Sequence, residues 1–139
     1  MTTKSRRAWI ALGGNLGDRQ AALANATSHL AGLPRLRILA ATAPVETAPL
    51  GGLDQPDYLN AMLLVEWDGD VDELLAACQA IEATGARARD HHWASRTIDL
   101  DLVRVDGELC DRAALTLPHP GLRDRTFWAV QMAELESDA

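Results

Sequence analysis

Two aspartates one residue apart follow an arginine-rich segment. Asp99 and Asp101 lie in an apolar run at residues 98–105. Ahead of them stand three arginines and a tryptophan, namely Arg87, Arg89, Trp93 and Arg96. If the run is a strand, both carboxylates project from one face of it, and the alternating apolar residues cover the other. Close carboxylates repel unless a cation such as Mg²⁺ lies between them, and guanidinium groups match phosphate oxygens. The segment therefore predicts chemistry on a magnesium-bound nucleotide. The alternative is a solvated strand face with surface salt bridges.

Length and composition limit the class of protein. The chain has 139 residues, 47% of them hydrophobic, which predicts a single domain over residues 1–139 with one core. The formal net charge is −7, and an acidic protein is not attracted to nucleic acid or to an anionic membrane surface. The two cysteines form no zinc-binding pattern, and no apolar run is long enough for a membrane span or a signal peptide. We therefore expect a soluble cytoplasmic protein.

Hydrophobic patterns predict the elements that position these residues. Strands are expected at residues 8–12, 35–43, 58–67 and 98–105. Helices are expected from the capping residue Asp18 to Gly32 and over residues 71–84. Prolines and glycines predict a long irregular loop at residues 44–57. Asp106 and Gly107 predict a turn that returns residues 108–110 along the preceding strand.

The order of these elements predicts the fold class. It is β-α-β-β-α-β, followed by a hairpin and a short C-terminal helix. This order is typical of an α+β domain in which helices pack on one face of an antiparallel sheet, the ferredoxin-like arrangement.

Other patterns do not predict a site on their own. Residues 13–17 are rich in glycine but match neither a dinucleotide-binding nor a P-loop motif. Residues 68–79 begin like a calcium-binding loop but lack its glycine and its final glutamate, so we interpret them as a turn and an acidic helix start. His91 and His92 are adjacent, and adjacent histidines seldom share one metal ion. His119 lies between two prolines, which restrict its backbone.

Four blocks of residues, spread along nearly the whole chain, match one family. They are residues 11–18, residues 46–60, residues 93–103, and Leu117-Pro118-His119 with Arg125 and Phe127. The third block contains Arg-Thr-Ile-Asp-Leu-Asp with a tryptophan three residues before its arginine, which is a highly specific pattern. In these blocks the chain resembles the 6-hydroxymethyl-7,8-dihydropterin pyrophosphokinase family of folate biosynthesis.

The resemblance implies an activity and its catalytic residues. The expected enzyme is an ATP-dependent diphosphotransferase, a pyrophosphokinase, that moves a pyrophosphoryl group from ATP to the hydroxymethyl group of the pterin. The products are AMP and the pterin diphosphate. By this resemblance Asp99 and Asp101 would hold two Mg²⁺ ions, while Arg87 and Arg96 would contact the transferred phosphates.

The resemblance also assigns the two substrate pockets. The ATP side would consist of Gln79, Glu82, Arg89, Leu102, Thr116, His119 and Arg125. The pterin side would consist of Thr47, Leu50, Tyr58, Asn60, Trp93 and Phe127, with aromatic planes stacking on the ring. Loops at residues 44–57 and 86–95 would close over the substrates. The implied partners are ATP and the hydroxymethyl dihydropterin, with no nucleic acid and no membrane, and the implied state is a monomer.

Two other functions stay open at this point. The chain departs from the family pattern at several positions: Gly14, Ala48, His92, Ala94 and Ser95. These departures leave room for a paralogue that acts on a modified pterin. A non-catalytic ferredoxin-like module that binds a ligand is the other alternative, in which Trp93 and Phe127 would be core aromatics.

Overall fold

Three helices pack on an antiparallel sheet in a mixed α/β structure. The computed structural model describes residues 5–14, 17–48, 57–87 and 98–138. In these residues the predicted α+β class with an antiparallel sheet is confirmed.

Within the described residues, the main sheet has five strands. They are β1 (Arg6–Gly14), β2 (Leu36–Ala41), β3 (Val45–Thr47), β4 (Tyr58–Trp67) and β5 (Asp99–Val105). Their order is β2-β4-β1-β5, and the short β3 pairs with the start of β4. Every pairing is antiparallel. β4 is largely buried because it pairs along both edges and is covered on both faces, as its continuous apolar run indicates.

The helices are α1 (Arg19–Ala31), α2 (Val71–Arg87) and α3 (Thr126–Asp138). Asp18 caps α1 as predicted, its Oδ1 accepting a hydrogen bond from the backbone N–H of Ala21 at 3.0 Å. α1 and α2 share one apolar cluster with one face of the sheet, centred on Ile10 and Leu63. α3 packs on the opposite face, where Trp128 and other apolar side chains meet those of β1 and β4. Both faces of the sheet are therefore covered, and the predicted short C-terminal helix has 13 residues.

The predicted hairpin after β5 is wrong in its pairing. The turn at Asp106 and Gly107 does form, with Gly107 at φ 79° and the Glu108 N–H donating to the Val105 carbonyl at 3.0 Å. The chain that follows does not return along β5. Instead β6 (Cys110–Arg112) pairs with β7 (Leu115–Leu117) in a separate two-stranded sheet. A turn signal fixes the local reversal of the chain but does not determine which segments pair after it.

Several elements also differ from the prediction: β1 extends beyond residues 8–12 to Arg6–Gly14, and β2, at Leu36–Ala41, is shorter than residues 35–43. Residues 44–57 were predicted to lack regular structure, yet Val45–Thr47 forms β3; a strand of three residues is too short to give a periodic pattern. α2 continues past Thr84 to Arg87. The single glycine at position 85 costs only about 1 kcal/mol in a helix, which a long helix packed on the core tolerates.

Candidate functional site

The two aspartates of β5 share one face of the sheet, as predicted. Asp99 pairs with Gly13 of β1, and Asp101 pairs with Ala11. Leu100 between them is buried on the opposite face, against α1 and α2. Asp99 is exposed and Asp101 is half-buried, so both carboxylates can meet a ligand at the end of the sheet.

A third carboxylate, that of Glu82 on α2, approaches these aspartates. Its Oε2 accepts a hydrogen bond from the Leu100 backbone N–H at 2.7 Å, which ties α2 to β5 between Asp99 and Asp101. Burial raises the pKa of Glu82, and the charges of both aspartates raise it further, against the lowering effect of the Leu100 hydrogen bond. Three carboxylates therefore gather at this end of β5, an arrangement that suits a bound cation.

His119 lies beside the same carboxylates in a fixed orientation. Its backbone N–H donates to the Val103 carbonyl of β5 at 2.8 Å. The ring Nδ1 accepts from the Gly121 N–H at 2.8 Å, which leaves Nε2, 3.9 Å from Asp101 Oδ1, to hold the proton of the neutral ring. Burial lowers the pKa of His119 and Arg125 lowers it further, while Asp101 raises it. The neutral ring can thus donate a hydrogen bond from Nε2 toward an oxygen ligand.

A cavity of about 320 Å³ opens beside β5 and contains most of the predicted ATP side. Its lining includes five of the predicted residues together with Asp101: Gln79, Glu82, Leu102, Thr116 and His119. Gln79 and Glu82 reach it from one face of α2, as their spacing predicts. Arg125 does not line the cavity. It stacks on the Trp128 ring with its Cζ 4.8 Å from the ring centroid and acts electrostatically on His119.

Other cavity residues were missed by the sequence prediction. Ala113 and Ala114 form the turn between β6 and β7. The rest of the wall consists of Leu75, Leu100, Leu115 and Pro120. They are small or apolar side chains with no chemical signature. Ala113 and Ala114 could have been identified only from the β6–β7 hairpin, which the sequence analysis did not predict.

The predicted pterin side converges on the other edge of β1. Asn60 is 7% exposed, and its Nδ2 donates to Thr47 Oγ1 at 2.6 Å. Thr47 pairs with Tyr58 across β3 and β4, so the three side chains meet at one end of the sheet. Phe127 lies on α3 and packs, half-buried, against the cluster on the same face as Asp99 and Asp101.

Gly13 separates the two sides of the site. It pairs with Asn60 on one edge and with Asp99 on the other, so these residues lie on one face. Two strand spacings of the sheet amount to about 10 Å. A Cβ atom at Gly13 would meet Asn60 Oδ1 at 2.9 Å, so a glycine at this position allows the Asn60 amide to lie over β1.

Several predicted residues lie outside the described part of the chain. They are Leu50, Arg89, Trp93 and Arg96, together with residues 49–56 and 88–95 of the two predicted loops, which include the adjacent histidines. Arg87 ends α2, but its side chain is likewise outside the described residues.

Potential metal ligands and thiols are limited in the described ranges. There, no group of three His, Cys, Asp or Glu side chains is arranged to hold a metal ion. Cys78 and Cys110 are free thiols, and burial raises the pKa of Cys78 to about 12. None of the described helices has the length and apolarity needed to cross a membrane.

Comparison with known proteins gives a consistent result. Residues 9–137 match the family described as 7,8-dihydro-6-hydroxymethylpterin-pyrophosphokinase. A 2-amino-4-hydroxy-6-hydroxymethyldihydropteridine pyrophosphokinase of Methylorubrum extorquens is 39% identical over 95% of this chain and 84% of its own length. Proteins of the same name from Haemophilus influenzae and Pseudomonas aeruginosa are 34% and 33% identical, over 94% and 96% of this chain and 82% of each relative. The chain therefore belongs to the 7,8-dihydro-6-hydroxymethylpterin-pyrophosphokinase family.

Proposed function

We propose that this protein transfers a pyrophosphoryl group from ATP to the hydroxymethyl group of 6-hydroxymethyl-7,8-dihydropterin. The products are AMP and the pterin diphosphate, an intermediate of folate biosynthesis. The family match over residues 9–137 supports this activity. The observation that carries the proposal is the position of Gly13, between Asn60 on the pterin side and Asp99 on the phosphate side.

We further propose that Asp99 and Asp101 hold two Mg²⁺ ions. The donor set fits, because Mg²⁺ in nucleotide sites commonly takes one or two carboxylates and completes its coordination with phosphate oxygens and water. Burial is the main cause of the raised pKa of Glu82, but the charges of Asp99 and Asp101 also raise it, and a cation bound to these aspartates would compensate that charge. The ions would supply neutralisation of phosphate charge as the pyrophosphoryl group moves.

The residues around the cavity would bind the nucleotide and its phosphates. Gln79, Leu102 and Thr116 line the cavity and are suited to contact the nucleotide. His119 would donate from Nε2 to a phosphate oxygen, a role supported by the hydrogen bond from Gly121 that fixes Nδ1 as an acceptor. We assign Glu82 and Arg125 to the same side, and we propose that Arg87, Arg89 and Arg96 bind phosphates.

The pterin would bind at the ends of β3 and β4. Asn60 can offer its remaining amide hydrogen and Oδ1 to the polar edge of the ring, because Thr47 occupies one of its N–H donors. Tyr58 and Phe127 would supply apolar planes. Leu50 and Trp93 complete the proposed pocket.

We also propose a topology, a domain organisation, an oligomeric state and a cellular location for the protein. The strand order β2-β4-β1-β5 and the antiparallel pairings support the ferredoxin-like arrangement. We propose that residues 1–139 form one domain that acts as a monomer in the cytoplasm, where ATP is supplied, without nucleic-acid or membrane partners.

The decisive experiment measures AMP formed from ATP and Mg²⁺, with and without 6-hydroxymethyl-7,8-dihydropterin, by chromatography. We expect AMP and pterin diphosphate in equal amounts, and only when all components are present. Chelation of the metal should stop both. Folded protein that binds ATP but forms no AMP would contradict the proposal, and screening of substituted pterins would then separate a paralogue with another substrate from a non-catalytic module.

A further inference from the structure

Arg19 connects two chain segments that border the pterin side of the site. It is the first residue of α1, and its Nη1 donates to the Asp57 carbonyl oxygen at 3.0 Å. Its Nη2 donates to Glu46 Oε2 at 2.8 Å. Glu46 lies in β3, and Asp57 immediately precedes β4. One guanidinium group, which is rigid and planar, therefore spans both segments.

The contacts of Arg19 act on the strand that presents Thr47. β3 has only three residues, and in the described part of the sheet it pairs with β4 alone. So short a strand gains little from its own pairing. Glu46 pairs with Leu59, and the next residue, Thr47, pairs with Tyr58. A tether on Glu46 and Asp57 therefore fixes β3 next to the position where Thr47 meets Asn60.

The bond between Thr47 and Asn60 is sensitive to that position. Asn60 Nδ2 donates to Thr47 Oγ1 at 2.6 Å, and its Oδ1 lies over Gly13. A small shift of β3 would lengthen this bond and free the amide to rotate. The orientation of the Asn60 amide, and with it the donors and acceptors offered to a ring, thus depends on where β3 is held.

The location of Arg19 indicates that it does not serve α1 itself. The dipole of a helix disfavours a cation in its first turn, and α1 has no acidic residue in that turn to offset it. Asp18 already caps the helix. Removal of the Arg19 charge should therefore leave α1 intact while it releases β3.

We propose that Arg19 is a positioning residue for the pterin side: by holding Glu46 and Asp57 together, it fixes the Thr47–Asn60 pair and sets the affinity for the pterin. This inference rests on the proposed function for the identity of the ligand. Arg19 does not contact the aspartates of β5 or the cavity beside them, so it leaves ATP affinity unchanged.

The test compares two arginine variants. Arg19→Met retains the length of the side chain but loses both hydrogen bonds. Arg37→Met is the matched control, because Arg37 forms an equally short pair with Glu66 at 2.7 Å on the exposed surface of β2 and β4. We expect Arg19→Met to raise the KM for the pterin about three- to ten-fold, the effect of losing one exposed ion pair and one charged hydrogen bond. The KM for ATP should change less than about two-fold, and Arg37→Met should change neither constant.

A second readout does not depend on activity. The NMR chemical shift of the Asn60 side-chain amide in ligand-free protein reports on its bond to Thr47. We expect it to move in Arg19→Met, to move less in Arg19→Lys, which retains one of the two contacts, and to stay fixed in Arg37→Met.

The outcomes separate this inference from the proposed function. An unchanged pterin KM and an unchanged Asn60 amide in Arg19→Met, in an active protein, would overturn the positioning role alone. An equal rise in both KM values with lower thermal stability would also overturn it, because it would indicate a general structural role. A wild-type protein that forms no AMP would overturn the proposed function and, with it, the link between Arg19 and the pterin.

Discussion

The imidazole Nε2 of His119 lies 3.9 Å from Asp101 Oδ1, while Nδ1 on the other side of the ring accepts a hydrogen bond from the Gly121 N–H at 2.8 Å. The second contact requires an unprotonated Nδ1. Nδ1, on the side away from the site, therefore carries no proton. The single proton of the neutral ring is on Nε2 and faces the Asp101 carboxylate. The edge of the ring also packs on Trp128, with 5.1 Å between centroids.

This arrangement predicts the titration of His119 in metal-free protein. Burial and Arg125 lower its pKa below the ordinary value of 6.5, and Asp101 acts in the opposite direction. Arg125→Met should therefore raise the pKa, and Asp101→Asn should lower it further. NMR of the ring nitrogens as a function of pH measures each midpoint. A midpoint above 6.5 in the wild type, or shifts of the opposite sign in the variants, would contradict the arrangement.

The sign of the accompanying stability change follows from the same shift. Because the folded pKa is below the unfolded one, the stability that the neutral ring provides is present above pH 6.5. It is lost as the pH falls through the folded pKa, when protonation of Nδ1 breaks the Gly121 hydrogen bond. His119→Gln should reduce this part of the acid sensitivity in urea unfolding.

Neutralising either aspartate of β5 tests their proposed role as metal ligands. Asp99→Asn and Asp101→Asn preserve shape and remove charge, and each should lower kcat by about 100-fold or more, equivalent to about 3 kcal/mol of transition-state stabilisation. Folding should persist, because the change reduces repulsion with Glu82. Asp111→Asn, on the exposed part of β6, is the charge-matched control and should retain full activity. AMP release at saturating substrates measures the effect, and near-normal rates in both site variants would refute the assignment.

Glu82 provides a prediction about stability. Glu82→Gln retains an acceptor for the Leu100 N–H but removes the negative charge. Because burial and the two aspartates raise the pKa of the Glu82 carboxyl, its ionised form is unfavourable, and the metal-free variant should be more stable than the wild type at pH 7. Glu82→Ala leaves that N–H without its acceptor and should lose about 1–2 kcal/mol. Urea unfolding without added metal distinguishes the two substitutions.

The pH dependence of the wild type supplies an internal check on Glu82. A folded pKa above the unfolded value of 4.5 means that the stabilising contribution is present below pH 4.5 and is lost as pH rises through the folded pKa. This component should be absent in Glu82→Gln. If the free energy of unfolding of the wild type and of Glu82→Gln depended on pH in the same way, the charge of Glu82 would not affect folding.

The sequence predicted those parts of the fold in which a hydrophobic pattern continues over seven or more consecutive residues. Tyr58–Trp67 is a largely apolar run and has the predicted bounds, and the alternation in β5 correctly places Asp99 and Asp101 on one face. By contrast, β3, β6 and β7 have three residues each, and their pairings were not predicted. So few residues give no periodic pattern.

The same distinction applies to the candidate site. Spacing alone predicted that Gln79 and Glu82 share a helix face, and both line the cavity. The space between Asn60 and Asp99 could not be predicted from spacing, because it depends on Gly13 pairing with both neighbours at once. Nor could the contacts of Arg19, which join residues 27 and 38 positions away in the chain.

Gly13→Ala tests the space between the two sides of the site. The added Cβ would lie 2.9 Å from Asn60 Oδ1, closer than a methyl group tolerates, so the amide must move and strain its bond to Thr47. We expect a loss of about 1–2 kcal/mol in urea unfolding and a rise of about ten-fold in the KM for the pterin. Gly32→Ala is the matched control, because its φ is −83° and its Cβ would meet only ordinary contacts at 3.6 Å. That variant should unfold within about 0.5 kcal/mol of the wild type and retain its KM. An unchanged pterin KM in Gly13→Ala would mean that the position of the Asn60 amide does not control binding, and the pterin would have to be recognised from the aromatic side of the pocket instead.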